Sequence, residues 1–350
     1  MDRHLIPETA SLLEALGRLN ALSGSSMTLF ATDESGRVAG ALTDGDVRRA
    51  LLGGVGLDSP VSRAMHRAFT ALRPEDDSRA RVARIRDSRA RGIRLIPVLD
   101  AAGRPLEIVD LDTTHTRLPL RAVLMAGGKG ERLRPLTLDR PKPLLEIDGK
   151  AIIDYNVEAL RACGVRDIAV TVRYLAEQIE EHFASAADVR CVREDTPMGT
   201  LGAVSLCDIP DDDGDTLVMN SDLLTTVSFE EMYLKHTAAG ADVTIAVVPY
   251  QVTVPFAILE TEGDAVTGIA EKPAYSHYAN AGIYIFSNRL LATVRAGRRT
   301  DAPDLVQAAI DGGRRVTYYV INGTWLDVGS PADFRQAAEL MRHHRNLSKT

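Results

Sequence analysis

A short glycine-rich segment carries the clearest chemistry in this sequence. Residues 127–130 read Gly-Gly-Lys-Gly and directly follow an apolar run at 122–126. Glycines after a strand let backbone N–H groups approach phosphate oxygens closely, and nearby cations strengthen the attraction. The spacing is not that of a Walker loop, and Leu133 occupies the position where a dinucleotide fingerprint needs its third glycine. The segment therefore predicts a phosphate site outside those two classes, although the glycines alone fit a solvated turn equally well.

Lys142 is a second candidate for phosphate contact. It lies between Pro141 and Pro143, and prolines on both sides fix the local backbone and limit the directions in which the lysine can point. A lone exposed lysine is normally a solvated charge. The fixed backbone close to the glycine-rich segment favours contact with a phosphate instead.

The elements around these residues alternate between strands and helices from residue 119 onward. Helical patterns occupy residues 152–162 and 229–238, and Gly164 ends the first of them. Apolar runs predict strands at residues 122–126, 168–172, 216–219, 243–248 and 283–286. This alternation predicts an α/β domain with a mixed, mostly parallel sheet. Ligands on such sheets collect at the carboxyl ends of the strands.

The first third of the chain is organised differently, because it contains an internal repeat. Residues 27–38 align with residues 94–105, and each copy predicts a strand, a glycine turn and a second strand. A helical pattern precedes each copy, and a further helix at 46–52 follows the first, so we expect helix, hairpin and helix twice. The polar stretch 112–117 predicts a linker, and we place the domain boundary between residues 118 and 119.

The composition excludes several classes of protein. The 350 residues carry a formal net charge of −7, so there is no basic excess to neutralise nucleic-acid phosphates. No apolar run approaches the roughly 18 residues that a membrane span needs, and the first four residues lack a signal-peptide pattern. The three cysteines are widely spaced and form no CxxC pair. We therefore expect a cytoplasmic protein with no nucleic-acid or membrane partner.

Residues 127–142 taken together resemble the signature of the sugar-1-phosphate nucleotidyltransferases, which include mannose-1-phosphate guanylyltransferase and glucose-1-phosphate thymidylyltransferase. The resemblance covers roughly residues 120–340. It implies a Rossmann-like fold and a Mg²⁺-dependent reaction. In that reaction an oxygen of a sugar 1-phosphate attacks the α-phosphate of a nucleoside triphosphate, and pyrophosphate leaves.

The resemblance also assigns roles to individual residues. Arg132 would brace the β- and γ-phosphates, and Lys142 would contact the α-phosphate and the attacking phosphate. Asp222 and Asp327 match the metal-binding aspartates, and Mg²⁺ prefers one or two carboxylates plus phosphate oxygens. Each aspartate alone would fit a turn or a cap equally well. The nucleotide would lie against Ala126, Gly127, Gly128, Lys129, Gly130, Glu194 and Gly199.

Three residues match the sugar-binding motifs of the same family. Glu271 would accept hydrogen bonds from sugar hydroxyls, Lys272 would hold the sugar phosphate, and Asn280 would belong to the same pocket. Two positions depart from the family pattern, because Ser221 and Ala257 replace glycines. Ala257 narrows the space expected for the sugar, so the resemblance does not identify the exact sugar.

Residues 40–46 resemble the end of a CBS motif, the repeat of the cystathionine-β-synthase type. The resemblance implies a CBS pair of βαββα repeats over residues 1–118, in which Thr43 and Asp46 would bind the ribose of a regulatory nucleotide. A pair that only packs and dimerises is equally consistent with the repeat. CBS pairs generally associate, so a homo-oligomer is implied. At the aligned positions of the second copy stand Glu107, Asp110 and Thr113.

A CBS pair followed by this transferase looks like the glucosamine-1-phosphate guanylyltransferases of legionaminic acid synthesis. That subgroup implies GTP and glucosamine 1-phosphate as substrates. The alternatives are a mannose- or heptose-1-phosphate guanylyltransferase and a sugar-1-phosphate uridylyltransferase. A different class would be a nucleotide-sensing regulatory protein without catalysis. Such a protein is expected to lose the charged residues of the site, yet all four are present: Arg132, Lys142, Asp222 and Asp327.

Overall fold

The computed structural model describes residues 2–22, 26–111 and 117–347, with the backbone alone for Ser78 and residues 343–347. The chain divides into two compact units, Met1–Arg117 and Leu118–Thr350, each with hydrophobic clusters of its own. Most of the predicted linker, residues 112–116 with Thr113 among them, lies outside the described residues, as does Met1.

The first unit opens with one complete copy of the repeat. Its elements are β1 (Leu5–Pro7), α1 (Leu12–Ala21), β2 (Thr28–Thr32), β3 (Val38–Thr43) and α2 (Asp44–Leu52). The strands form a sheet in the order β1-β2-β3, with β1 and β2 parallel and β2 and β3 antiparallel. Leu12, Ala15 and Leu19 form the buried face of α1 and share a core with Leu29 and Leu42 of the sheet. The helix and hairpin predicted for the first copy are therefore confirmed.

The second copy is shorter than the sequence predicts. It contains α3 (Ser78–Ala90), β4 (Leu95–Leu99) and β5 (Pro105–Asp110). Its first strand is reduced to a single parallel bridge between Leu72 and Val98. No helix follows β5 among the described residues, so the closing helix of the second copy is not confirmed. The next described element is the strand that begins at Leu120.

The second unit is built on a central sheet of seven strands. All strands of this unit, in chain order, are β6 (Leu120–Met125), β7 (Glu146–Ile147), β8 (Lys150–Ala151), β9 (Ile168–Val172), β10 (Val189–Arg193), β11 (Asp215–Asn220), β12 (Leu223–Thr225), β13 (Val243–Thr253), β14 (Ile258–Glu262), β15 (Ala265–Ala270), β16 (Ala274–Ser287), β17 (Val316–Val320) and β18 (Trp325–Asp327). The central sheet has the order β10-β9-β6-β11-β16-β13-β17. Only β16 runs antiparallel to its neighbours, so the predicted mixed, mostly parallel sheet is confirmed.

Helices accompany these strands along the chain. They are α4 (Ile152–Ala162), α5 (Ala176–Phe183), α6 (Gly199–Gly202), α7 (Phe229–Ala239), α8 (Asn288–Leu291), α9 (Ala302–Asp311) and α10 (Pro331–Leu347). α4 has the bounds that the sequence predicts. Ser330 caps α10, because the Asp333 N–H donates to Ser330 Oγ (3.3 Å). Within the described part of the chain, no helix is long and apolar enough to cross a membrane.

The centre of the sheet is buried on both faces. All five residues of β9 are buried, and β6 and β11 are buried along most of their length. Strands covered on both faces are continuous apolar runs rather than alternating ones, which explains why these segments could be recognised in the sequence. Phe286, Leu201 and Leu290 belong to the cluster that covers part of this sheet.

Two strands continue well beyond the core. The sequence predicts a strand at 243–248, but β13 reaches Thr253 and stays paired with β16 down to Ala274. β14 and β15 pair only with each other and form a hairpin inserted in the chain between β13 and β16. None of residues 249–278 is buried. This segment, residues 249–278, is called the arm below.

Candidate active site

A cavity of about 680 Å³ lies at the carboxyl ends of three neighbouring strands of the central sheet. Ala126 follows β6, Arg173 follows β9, and Ser221 follows β11. This is the sheet edge at which α/β proteins bind ligands. The predicted site residues that line the cavity are Ala126, Gly127, Gly128, Lys129, Gly130, Arg132, Lys142, Glu194, Gly199, Asp222 and Asp327.

Gly127 of the glycine-rich loop lies directly against the Glu194 carboxylate. A Cβ on Gly127 would lie 2.5 Å from Glu194 Oε1, closer than any side chain can come. Glycine therefore lets the loop pass the Glu194 carboxylate. Farther along, the Thr137 hydroxyl donates to the Gly130 carbonyl (2.8 Å) and holds the loop against the chain that follows.

Ser221 is buried at the position where the family resemblance implies glycine. Its hydroxyl donates to the Met125 carbonyl at the end of β6 (2.7 Å). Its own carbonyl accepts from Nδ2 of the buried Asn156 (3.2 Å). The serine thus ties the ends of β6 and β11 together, and Asp222 leaves the sheet from a fixed point.

Asp222 and Asp327 are far apart in the sequence, and a two-stranded sheet brings them together. β12 pairs antiparallel with β18, with Leu223 opposite Asp327. The Val328 N–H donates to the Asp222 carbonyl (3.2 Å). This register places both carboxylates at the same side of the cavity.

Lys142 lies between these carboxylates, and only 10% of its side chain is exposed. Nζ donates to Asp222 Oδ2 and lies 3.4 Å from Asp327 Oδ1. A buried ammonium needs such partners because it has given up its hydration. Burial and the charge of Asp222 raise the pKa of Asp327, against the opposing effect of Lys142 and Arg132. Asp222 Oδ1 is buried and accepts no hydrogen bond from the described residues.

Besides Lys129 of the glycine-rich loop and Arg299 before α9, three further residues bring positive charge to the cavity from separate elements. Arg132 belongs to the 3₁₀ turn Glu131–Leu133, and its guanidinium passes so close to Gly329 that a Cβ there would lie 3.2 Å away. Lys142 opens the 3₁₀ turn Lys142–Leu144. Arg173 directly follows β9 and was missed in the sequence, although its position after a strand is the same signal that singled out Asp222.

Glu194 is a buried acid that lines the cavity next to Gly127 of the glycine-rich loop. Burial raises the pKa of its carboxyl, while the N–H of Met198 and the charge of Arg173 lower it. The Met198 N–H donates to Oε2 (3.3 Å), which leaves Oε1 next to Gly127. A carboxylate held here is placed to accept hydrogen bonds from a bound molecule.

The start of α6 is locked to the start of α9. Gly199 has φ of +80°, and a Cβ there would lie 2.6 Å from the Thr300 carbonyl oxygen. The Thr200 N–H donates to the Asp301 carboxylate (2.9 Å), and the Ala302 N–H donates to Thr200 Oγ1 (2.7 Å). Each helix start is therefore capped by a side chain of the other.

Arg299 and Asp301 also line the cavity, although no sequence motif pointed to them. They precede α9 and lie far along the chain from the glycine-rich loop. The contacts between the starts of α6 and α9 bring them to the site, and such contacts leave no local pattern in the sequence.

The predicted sugar-phosphate residues are not among those that line this cavity. Glu271 and Lys272 lie on the arm, where both are exposed, and Lys272 has φ of +44°. Asn280 donates through Nδ2 to the Tyr284 hydroxyl (2.6 Å) and accepts the Gly282 N–H at Oδ1 (3.0 Å). Their assignment to the sugar stays a prediction.

Thr43 and Asp46, in the first unit, are bonded to each other. Thr43 caps α2 and donates through its N–H and its hydroxyl to Asp46 Oδ2 (2.8 and 2.6 Å). Arg49 forms an ion pair with Asp46 Oδ1 (2.5 Å). All three residues line a cavity of about 660 Å³ within this unit.

The sheet order and the loop at its carboxyl edge place the second unit among α/β proteins of the nucleotidyltransferase fold. A crystal structure of a candidate glucose-1-phosphate thymidylyltransferase from Bacillus anthracis has a TM-score of 0.52 and 22% identity, covering 64% of this chain and 95% of that one. HddC from Yersinia pseudotuberculosis, complexed with GMP-PN, has a TM-score of 0.50 and 23% identity, covering 63% and 99%. These likenesses concern the fold.

The chain belongs to the nucleotidyl transferase family, whose profile matches residues 121–344. The mannose-1-phosphate guanylyltransferase catalytic subunit beta of Danio rerio is 31% identical over 226 residues, covering 61% of this chain and 62% of that protein. Its counterpart from Drosophila pseudoobscura pseudoobscura is 33% identical over 224 residues, covering 61% and 60%. The chain thus matches less than two thirds of the length of these curated relatives.

The Gly199 contact can be tested without a substrate. Gly199→Ala should lower the free energy of unfolding by about 1–3 kcal/mol, because it combines a left-handed φ with a close contact to Thr300. Urea denaturation followed by circular dichroism measures the change. Gly128→Ala is the matched control, since nothing lies within 4 Å of its added Cβ. Equal stability of the two variants would mean that α6 does not abut Thr300 as described.

Proposed function

We propose that this protein is a sugar-1-phosphate guanylyltransferase, which transfers GMP from GTP to a hexose 1-phosphate and releases pyrophosphate. The observation that carries the proposal is the buried Lys142 between Asp222 and Asp327, beside a glycine-rich loop at the carboxyl edge of the sheet. Family membership and the guanylyltransferase relatives support it. Phosphoryl transfer needs positioning and charge neutralisation far more than covalent help, and this site supplies both.

The two aspartates suit a magnesium ion. Asp222 Oδ1 is buried without a partner among the described residues, and the raised pKa of Asp327 reflects burial beside a second carboxylate. Both observations indicate that the neighbouring cations do not fully neutralise these carboxylates. Mg²⁺ prefers one or two carboxylates plus phosphate oxygens. Asp222 and Asp327 would therefore hold the ion. When bound, it would neutralise charge on the phosphate oxygens of the substrates.

The cationic side chains would act on different phosphates. Lys142, buried and fixed by its two prolines, would hold the α-phosphate and the attacking sugar phosphate together. Arg132, one turn from the glycine-rich loop, would stabilise the negative charge that develops on the leaving pyrophosphate. Backbone N–H groups of residues 127–130 would add hydrogen bonds to the same oxygens.

Mannose 1-phosphate is the favoured sugar substrate. The curated relatives are mannose-1-phosphate guanylyltransferases, so they support this alternative better than the glucosamine 1-phosphate that the CBS-like repeat suggested. Heptose 1-phosphate as the sugar substrate, and a uridylyltransferase activity in place of the guanylyltransferase, are the competing possibilities. We retain Glu271, Lys272 and Asn280 as the proposed sugar-binding residues, on the strength of their motifs.

Glu194 would select guanine over the other bases. Guanine presents two adjacent donors, N1–H and the 2-amino group, which match the two oxygens of one carboxylate. Uracil and thymine present one donor between two carbonyl oxygens, and the carboxylate would repel those oxygens. The burial of Glu194 strengthens the discrimination, because an unsatisfied charge there is costly.

The activity is tested by a substrate panel read by pyrophosphate release. GTP, UTP, dTTP and ATP are each paired with mannose, heptose and glucosamine 1-phosphates, and GTP with mannose 1-phosphate should react fastest. Asp222→Asn should lower kcat by about 100-fold or more, because a metal carboxylate contributes several kcal/mol to the transition state. Asp213→Asn, at a position whose side chain is 84% exposed, is the matched control. A faster UTP reaction, or full activity in Asp222→Asn, would contradict the proposal.

Base selection is tested at Glu194 with GTP and ITP, which lacks the 2-amino group. The wild type should prefer GTP, whereas Glu194→Gln should lower kcat/KM for GTP by about 10- to 100-fold, as loss of a charged hydrogen bond predicts. The ratio of GTP to ITP turnover should then approach one. Glu158→Gln, an exposed acid on α4, should change neither value. A Glu194→Gln enzyme with the wild-type ratio would remove Glu194 from base recognition.

A second function is supported by the cavity of the first unit. We propose that it binds a regulatory adenine nucleotide, with Thr43 and Asp46 at the ribose. Phe69 and Ile93 give the cavity an apolar surface for a base, and Arg91 is placed to meet a phosphate. Only the first copy of the repeat keeps the threonine and the aspartate, so one nucleotide per chain is expected.

Calorimetry on the full chain with AMP and ATP tests this site. The wild type should bind one nucleotide, and Asp46→Ala should weaken binding at least about tenfold through loss of charged hydrogen bonds. Asp44→Ala, in the same first turn of α2, is the control for loss of an acid from that helix. Absence of binding to the wild type would leave the repeat with a packing role alone.

A further inference from the structure

Arg173 is a charged residue of the cavity to which the proposed function gives no task. It is the first residue after β9, and it lines the cavity while half-buried. Among the described residues, its guanidinium has neither a hydrogen bond nor an ion pair. Partial burial of a cation without a partner is costly, so this guanidinium is available to a molecule bound in the cavity.

The sheet register places Arg173 beside Glu194. β9 and β10 run parallel, with Val172 opposite Arg193, and Arg173 and Glu194 are the next residues of the two chain segments. The Glu194 N–H donates to the Val172 carbonyl (2.9 Å), which continues the pairing by one residue. Burial raises the pKa of the Glu194 carboxyl, and the charge of Arg173 is among the effects that lower it. The two side chains are thus close, yet they form no ion pair with each other.

The backbone of Gly127 lies against both side chains. A Cβ on Gly127 would lie 2.5 Å from Glu194 Oε1 and 3.6 Å from the Arg173 Cβ. The other oxygen of Glu194, Oε2, already accepts from the Met198 N–H. One carboxylate and the donors of one guanidinium therefore line the same corner of the cavity, where neither neutralises the other.

This corner lies on the side of the cavity away from the proposed metal ligands. In the sheet order β10-β9-β6-β11, the strand that precedes Asp222 is β11, and β6 separates it from β9. Neighbouring strands are about 5 Å apart, so the strand ends before Arg173 and Glu194 lie roughly 10 and 15 Å from the end of β11. A nucleotide whose α-phosphate lies at Lys142 and Asp222 would therefore extend its base, and not its phosphates, toward Arg173.

We propose that Arg173 is a second base-reading residue, whose guanidinium donates to O6 and N7 of guanine while Glu194 accepts from N1–H and the 2-amino group. This inference rests on the proposed function. O6 lies between N7 and N1 on the edge of guanine, so the two reading side chains must be neighbours, as Arg173 and Glu194 are. The paired contact of arginine with O6 and N7 is the commonest specific contact of proteins with guanine in DNA. Adenine would turn a donor, its 6-amino group, toward Arg173 and an acceptor, N1, toward Glu194, so ATP should be rejected.

Binding of base analogues tests this contact with Arg173 in place. Calorimetry without any sugar phosphate compares GTP with 7-deaza-GTP, which lacks N7, and with 6-thio-GTP, in which sulfur replaces O6. The reference is the full chain with Asp46→Ala, which removes the nucleotide site proposed for the first unit. Each analogue should bind about tenfold more weakly than GTP, because each loses or weakens one charged hydrogen bond. Equal affinities for GTP and both analogues would overturn the proposal.

Substitutions of Arg173 in the same reference chain separate base recognition from simple charge. Arg173→Met should weaken GTP binding about tenfold or more and should bind GTP and the two analogues alike. Its preference for GTP over ITP, which depends on Glu194, should be kept. Arg173→Lys keeps the charge but loses the planar fork of donors, so it too should lose the discrimination against 7-deaza-GTP. Arg193→Met removes an exposed charge of β10 outside the cavity and, as the matched control, should leave every affinity unchanged.

Two results with these variants would contradict the proposal. Arg173→Met could weaken GTP and both analogues by the same factor, which would mean that Arg173 contacts a phosphate. Arg173→Lys could match the reference in every affinity, which would mean that only the positive charge matters. Failure of the proposed function has a different signature. A chain that shows the expected affinities but releases no pyrophosphate with any hexose 1-phosphate would refute the transferase activity and leave base recognition by Arg173 in place.

Discussion

The ion cluster of Lys142, Asp222 and Asp327 is the constraint on which the candidate active site depends. Burial of the Lys142 ammonium is costly unless carboxylates lie beside it. The fold must therefore keep Asp222 and Asp327 next to this lysine. The β12–β18 pairing brings the two aspartates together, and the prolines on either side of Lys142 fix the backbone from which the lysine side chain extends. Lys142 is buried and the two aspartates are partly buried, so the ammonium depends on both carboxylates for the hydration that it has lost.

Local features of this site could be predicted from the sequence, and long-range ones could not. The glycine-rich loop, the strand that precedes it and the bounds of α4 all follow from patterns within about twenty residues. The proximity of Asp222 and Asp327 depends on the register of two short strands, and no periodicity in the sequence encodes it. Arg299 reaches the cavity because Thr300 packs on Gly199. This contact joins two distant segments, and neither segment contains a pattern that predicts it.

β13 and β16 perform two tasks with one pair of strands. Their inner halves are buried in the central sheet, while their outer halves leave the core and carry the exposed arm. The sequence predicted only the buried halves, because continuous apolar runs mark strands that are covered on both faces. The outer halves mix polar and apolar residues, and their strand structure comes from the long pairing between β13 and β16.

The reciprocal caps between α6 and α9 limit how the cavity can change shape. Thr200 and Asp301 each satisfy a backbone donor of the other helix, so separating the two helix starts would expose both donors at once. This side of the cavity should therefore move as a rigid body. Among the described residues, the glycine-rich loop has no such reciprocal caps and is held by the Thr137 hydrogen bond and by the contact of Gly127 with Glu194. Any opening of the cavity is thus expected to be asymmetric, with the glycine-rich loop as the side that moves and the helix pair as the fixed side.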